Sequence, residues 1–108
     1  MMKVVKFGGS SLADAGQIQK AAAIIKAEAD RRYVVPSAPG KRFKDDIKVT
    51  DMLYQCYALA EKGEAFATQL AAIKDRYVSI LNGLSMPETL LDEEFVTIGE
   101  NFRKRFGS

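Results

Sequence analysis

The chain has 108 residues with a formal net charge of +2, 47% hydrophobic and 28% charged. That is the composition of an ordinary globular domain, and the charge is too small to imply a nucleic-acid or membrane-surface partner. One cysteine and no histidine exclude an internal disulfide, a Cys/His nucleophile pair and a histidine-based zinc site, so any catalysis must proceed without an imidazole base.

Residues 2–7 read as a strand, with Val4, Val5 and Phe7 suited to a buried one. The strand runs into Gly8-Gly9-Ser10-Ser11, where two side chains are missing and two hydroxyls follow. Asp14 and Gln17 have the spacing of a capping box opening a helix to about Arg31. Strand, glycine turn and helix start form an anion-site geometry, with free amides and a positive helix end facing whatever sits over the turn. Lys6 adds an ammonium there. Neither GxxxxGK[ST] nor GxGxxG is present, so the turn alone is a weak signal.

Tyr33-Val34-Val35 reads as a second strand, and strand–helix–strand over about 35 residues predicts a parallel βαβ unit. It ends in Pro36-Ser37-Ala38-Pro39-Gly40. Parallel strands end on one edge, so the two turns are expected side by side at the carboxyl edge, where open α/β sheets bind ligands. Lys41 to Lys48 reads as a charged, solvated loop, or else as a lid bringing cations to phosphate.

Three helices are predicted after the loop. The first is capped by Thr50 or Asp51 and ends at Gly63, and the second runs from about Glu64 to Leu81 and stops at Asn82-Gly83. Ser85 and Glu88 suggest a capping box for the third. Phe66, Leu70, Ile73 and Tyr77 form one apolar stripe, and Leu91, Phe95, Ile98, Phe102 and Phe106 another. Cys56 is expected as a packed thiol. Two strands are few for a parallel sheet, so the chain reads as the start of a larger α/β domain. Bare strand edges and bare helix stripes are then expected to drive self-association. No stretch has the length of a membrane span or the pattern of a signal peptide, and the expected compartment is the cytoplasm.

Lys6-Phe7-Gly8-Gly9-Ser10-Ser11-Leu12-Ala13-Asp14, Val34-Val35-Pro36-Ser37-Ala38-Pro39-Gly40 and Thr50-Asp51-Met52-Leu53, in that order, resemble three signatures of the aspartate kinases. The resemblance implies the amino-acid-kinase (carbamate-kinase-like) fold, an αβα sandwich of α/β class. Residues 1–108 would be part of its catalytic domain, with the regulatory ACT domains absent. It implies ATP and L-aspartate as substrates, Mg²⁺ travelling with the nucleotide, no metal held by the protein itself, and a homo-oligomer. By the same resemblance Lys6 is the catalytic lysine on the transferred phosphate, and Gly8, Gly9, Ser10 and Ser11 hold phosphate. Ser37 and Thr50 belong to the substrate site. A carboxylate acceptor is already ionised at neutral pH and needs no base, which suits a chain without histidine. The Arg-Gly-Glu segment that supplies a substrate-binding glutamate in the family is not among these residues. The 108 residues alone are therefore expected to be inactive and to bind ATP and Mg²⁺ poorly. Two alternatives stand beside this reading: another amino-acid kinase acting on glutamate, acetylglutamate or a nucleotide, and a stand-alone anion-binding module without catalysis.

Overall fold

The computed structural model describes residues 2–107, with Arg32 described by its backbone alone. The chain divides into two compact units, residues 1–50 and 51–108.

In the first unit, strand β1 (Lys3–Phe7) pairs in parallel with β2 (Arg31–Pro36). A 3-10 turn (Gly9–Leu12) and helix α1 (Ala15–Ala27) make the crossover. The register sets Val4 opposite Tyr33 and Lys6 opposite Val35. Side chains alternate across a strand, so these four share one face, and all four are exposed. Val5 pairs with Val34 on the other face, and α1 packs against β2. Ala21 of α1 is buried, while Ile18, Ala22 and Ile25 are half-buried. At the amino edge Glu28 accepts from Lys3 at 2.7 Å and lies 3.5 Å from Arg31.

α1 opens on Asp14, whose Oδ1 accepts from the Gln17 amide at 2.9 Å. This is the predicted cap. The helix ends at Ala27 rather than Arg31, because β2 takes up the chain from Arg31.

Helix α2 (Val49–Glu61) begins at the end of the first unit and runs into the second. Its start corrects the sequence reading, because Thr50 lies inside the helix and does not cap it. The reason is tertiary. The Val49 amide donates to Pro39 O at 3.0 Å, and Val49 is 1% exposed. At the other end Gly63 takes φ +74. Its amide donates to Ala60 O and the Glu64 amide to Leu59 O, at 3.0 and 2.9 Å, the paired bonds of a Schellman ending.

The second unit holds the rest of α2, α3 (Ala67–Gly83) and α4 (Asp92–Phe106). α3 ends at Gly83, within the Asn82-Gly83 pair expected to stop it, but one further expectation fails here. The left-handed residue is Ser85, at φ +57, with its amide on Asn82 O and the Met86 amide on Leu81 O. Ser85 therefore closes α3 and is not the cap of α4, which starts after Leu91 with no side-chain cap.

The two stripes expected to be bare are packed together. Tyr77 meets Phe95 edge to face at 5.8 Å, Phe66 lies 5.3 Å from Phe102, and Tyr57 of α2 reaches Phe102 and Phe106 at 6.5 and 5.1 Å. Gly99 is buried, and a Cβ there would sit 3.5 Å from Leu70, so this small residue brings α4 close to α3. Ile73, Ile80, Leu81, Phe95, Ala60 and Cys56 are buried, together with Arg76. Burial pushes the Cys56 thiol and the Tyr77 hydroxyl up, in keeping with a packed rather than a reactive cysteine. No helix among the described residues is long and apolar enough to cross a membrane.

Candidate functional site at the paired turns

All seven residues singled out from the sequence lie in the first unit. Phe7 O accepts from the Ser37 amide at 3.0 Å, which carries the strand pairing one step past Pro36. The Gly40 amide then donates to Gly9 O at 2.8 Å. The two turns therefore lie side by side on the carboxyl edge, as parallel pairing predicts.

The glycines have distinct reasons. A Cβ on Gly9 would lie 3.1 Å from Gly40 Cα, and a Cβ on Gly40 only 2.5 Å from Gly9 C. Neither residue has a positive φ, so both are required by the approach of one backbone to the other and not by conformation. Gly8 differs. Its φ is −75 and ψ 171, open to any residue, and a Cβ there would meet nothing within 4 Å. Gly8 leaves an open, exposed face on the turn.

The positive end of α1 is not available over the glycines. A 3-10 turn intervenes, and Asp14 places a carboxylate on the α1 start. The donors at the turn are instead the amides of Gly9 and Ser10, which precede its first hydrogen bond, Ser11 N to Gly8 O at 3.1 Å. Ser10 is exposed and Ser11 half-buried. Lys6, two residues before Gly8, is exposed on the sheet face shared with Val35, and Ser37 is exposed at the start of the second turn. Thr50 follows Val49, whose amide is tied to Pro39 of that turn, and is exposed. The fold thus brings Lys6, Gly8–Ser11 and Ser37 to one edge, with Thr50 one residue beyond an anchor to the same edge.

The sequence reading missed the structure of the Lys41–Lys48 loop. Asp46 Oδ2 accepts from the Arg42 Nε at 2.6 Å and from the Arg42 amide at 3.0 Å, and its Oδ1 accepts from Nη2 at 2.9 Å. The Asp46 amide donates to Phe43 O at 3.1 Å. The Arg42 guanidinium, first through its hydrogen bond, holds the Asp46 carboxyl well below the usual carboxylate range. The spacing of four between Arg42 and Asp46 was the available signal. Among the described residues no group of three or more His, Cys, Asp or Glu side chains could hold a metal ion.

The Amino acid kinase family matches residues 1–101. Aspartokinase 3 of Bacillus subtilis is 43% identical over 93 residues, covering 85% of this chain and 20% of its own. The crystal structure of Clostridium acetobutylicum aspartate kinase superposes with a TM-score of 0.87 at 40% identity, over 94% of this chain and 23% of that one. E. coli aspartokinase III in complex with aspartate and ADP gives a TM-score of 0.65 at 33% identity, over 94% of this chain and 21% of its own. The chain thus spans about a fifth of the length of each relative. With its parallel βαβ unit, its two apposed glycine turns and a match that takes in nearly every residue, the chain belongs to the amino acid kinase family.

Proposed function

We propose that this chain is the opening part of the catalytic domain of an aspartate kinase, a cytoplasmic, homo-oligomeric enzyme that transfers the γ-phosphoryl group of ATP to the β-carboxylate of L-aspartate. Because the chain spans about a fifth of its relatives, the activity is assigned to the full-length protein, and the 108 residues alone are expected not to turn over. The observation that supports the reading is the Gly9–Gly40 apposition. It brings a lysine, an open glycine face and two hydroxyl-bearing segments to one sheet edge. Identity of 40–43% to enzymes named for aspartate favours aspartate over glutamate, acetylglutamate or a nucleotide as acceptor.

In this reading a carboxylate oxygen of aspartate attacks the γ-phosphorus, the bond to the β-phosphate oxygen breaks, and ADP leaves. The acceptor is ionised at neutral pH and needs no base. Phosphoryl transfer asks the protein for position and charge stabilisation. Lys6 supplies charge where it develops on the transferring group, and the Gly9 and Ser10 amides, with the Ser10 and Ser11 hydroxyls, hold phosphate oxygens across the open face of Gly8. Ser37 and Thr50 bind the acceptor side. Mg²⁺ enters with the nucleotide phosphates as part of the substrate.

The test is ADP release by the full-length protein with ATP and, in turn, aspartate, glutamate and acetylglutamate. Aspartate is expected to give the highest kcat/KM by at least about a hundredfold, the discrimination available to a site that pairs its polar groups with one acceptor. A higher kcat/KM with another acceptor overturns the assignment.

A further inference from the structure

The Lys41–Lys48 loop leaves the second turn at Gly40, whose amide is on Gly9 O, and returns at Val49, whose amide is on Pro39 O. Both stems are therefore fastened to the paired turns. Between them Arg42 and Asp46 make three hydrogen bonds, two from the guanidinium and one from the Arg42 backbone. The Asp46 side chain is 9% exposed and that of Arg42 40%, so the carboxylate is the inward partner and the guanidinium covers it. A paired fork of this kind fixes geometry as well as charge. Two exposed residues, Ile47 and Lys48, lead from the clasp to the buried Val49 and the exposed Thr50.

We propose that Arg42 and Asp46 are positioning residues for the acceptor side of the site: their clasp sets the path of the loop and so the place of Thr50 relative to Ser37. The inference rests on the proposed function for the identity of the acceptor, but not for the clasp itself. Neither residue touches substrate. Their effect is on binding of the carboxylate acceptor, while the nucleotide side, built on Lys6 and Gly8–Ser11, is held by β1 and the 3-10 turn and meets the loop at its Gly40 stem, which the backbone bond to Gly9 O fixes independently of the clasp.

The test compares wild type, Asp46→Asn, Arg42→Gln and the exchanged double variant Arg42→Asp/Asp46→Arg in the full-length protein, using whichever acceptor wild type turns over. Each single variant is expected to raise the acceptor KM about tenfold or more, the scale of a misplaced binding group, and to leave the ATP KM within about twofold. The exchanged pair is expected to recover part of the loss. Limited trypsin digestion of the full-length protein gives a readout independent of activity, with cleavage after Lys41, Lys44 and Lys48, the sites both single variants keep, expected to accelerate in each. Acceptor and ATP KM rising together, an unchanged acceptor KM, or unchanged trypsin rates each overturn the proposal. A wild-type protein that prefers another acceptor overturns the aspartate assignment alone, and the clasp is then judged on that acceptor's KM.

Discussion

Gly9 and Gly40 touch backbone to backbone: the Gly40 amide donates to Gly9 O at 2.8 Å, and a Cβ on Gly40 would fall 2.5 Å from Gly9 C and 2.8 Å from its oxygen. The contact joins two turns 31 positions apart in sequence, and neither partner is a flexible side chain that could give way. Gly40→Ala is therefore expected to destabilise the chain by about 2 kcal/mol or more. Gly8→Ala, with nothing within 4 Å of its Cβ and an unstrained φ of −75, is expected to stay within about 0.5 kcal/mol of wild type, yet to weaken ATP binding in the full-length protein. Urea unfolding of the two variants makes the comparison, and equal losses would remove the distinction between a packing glycine and a cradle glycine.

Lys6 is exposed on the sheet and its replacement by alanine should cost little stability. In the full-length protein Lys6→Ala is expected to lower kcat by about 10²-fold or more with a much smaller change in KM, because the ammonium matters most where charge develops on the transferring phosphoryl group. Steady-state kinetics within about threefold of wild type would take Lys6 out of the site.

Acid should dissolve the Arg42–Asp46 clasp. Arg42 holds the folded-state carboxyl of Asp46 well below its ordinary range. A lowered carboxylate contributes stability that is fully present above the unfolded pKa of about 4 and is lost as pH falls toward the folded value. The stability difference between wild type and Asp46→Asn is thus expected to be constant from neutral pH to about pH 5 and to shrink below about pH 4. Urea midpoints across that range are the check, and a difference that persists undiminished to about pH 3 would mean that the pair is not ionic in solution.

Self-association of the 108-residue chain is expected to run through its sheet and not through its helices. Val4, Tyr33 and Val35 are exposed on one face, with Val34 exposed on the other, and open strands with apolar faces recruit further strands or apolar surfaces. Val4→Lys with Val35→Lys should shift light scattering toward monomer. Phe95→Ala should instead loosen the second unit, where Phe95 is buried against Tyr77, at a cost of about 3 kcal/mol. If the lysine pair leaves the association unchanged, the sheet face is not the contact.

Features set by neighbours along the chain were legible without the fold. The first strand, the Asp14–Gln17 cap and the Gly63 ending are each decided within a few residues of backbone, and each is found where the pattern put it, although Val4, expected in a buried strand, is exposed because α1 packs on only one side of the pair. Parallel pairing followed from the length of the crossover, and with it the meeting of the two turns on one edge. The exact ends of the helices were another matter. Gly83 has the intrinsic freedom for the left-handed position that closes α3, yet Ser85 takes it, because the Schellman bonds close on Leu81 and Asn82. Thr50 carries a capping hydroxyl, but the Val49 amide already has Pro39 O as its partner, and that partner lies ten residues back around a loop.

Sequence by itself determined that Gly9 and Gly40 would sit in neighbouring turns and that two aromatic stripes needed partners. Only the tertiary structure decided that Gly9 is glycine because Gly40 presses on it, that Gly8 is glycine for no contact within the chain, and that the stripes partner each other. The reason is the range of the forces. Periodicity and capping report interactions over three or four residues, whereas a steric clash or a ring contact depends on which distant backbone arrives, and that is fixed when the whole unit packs.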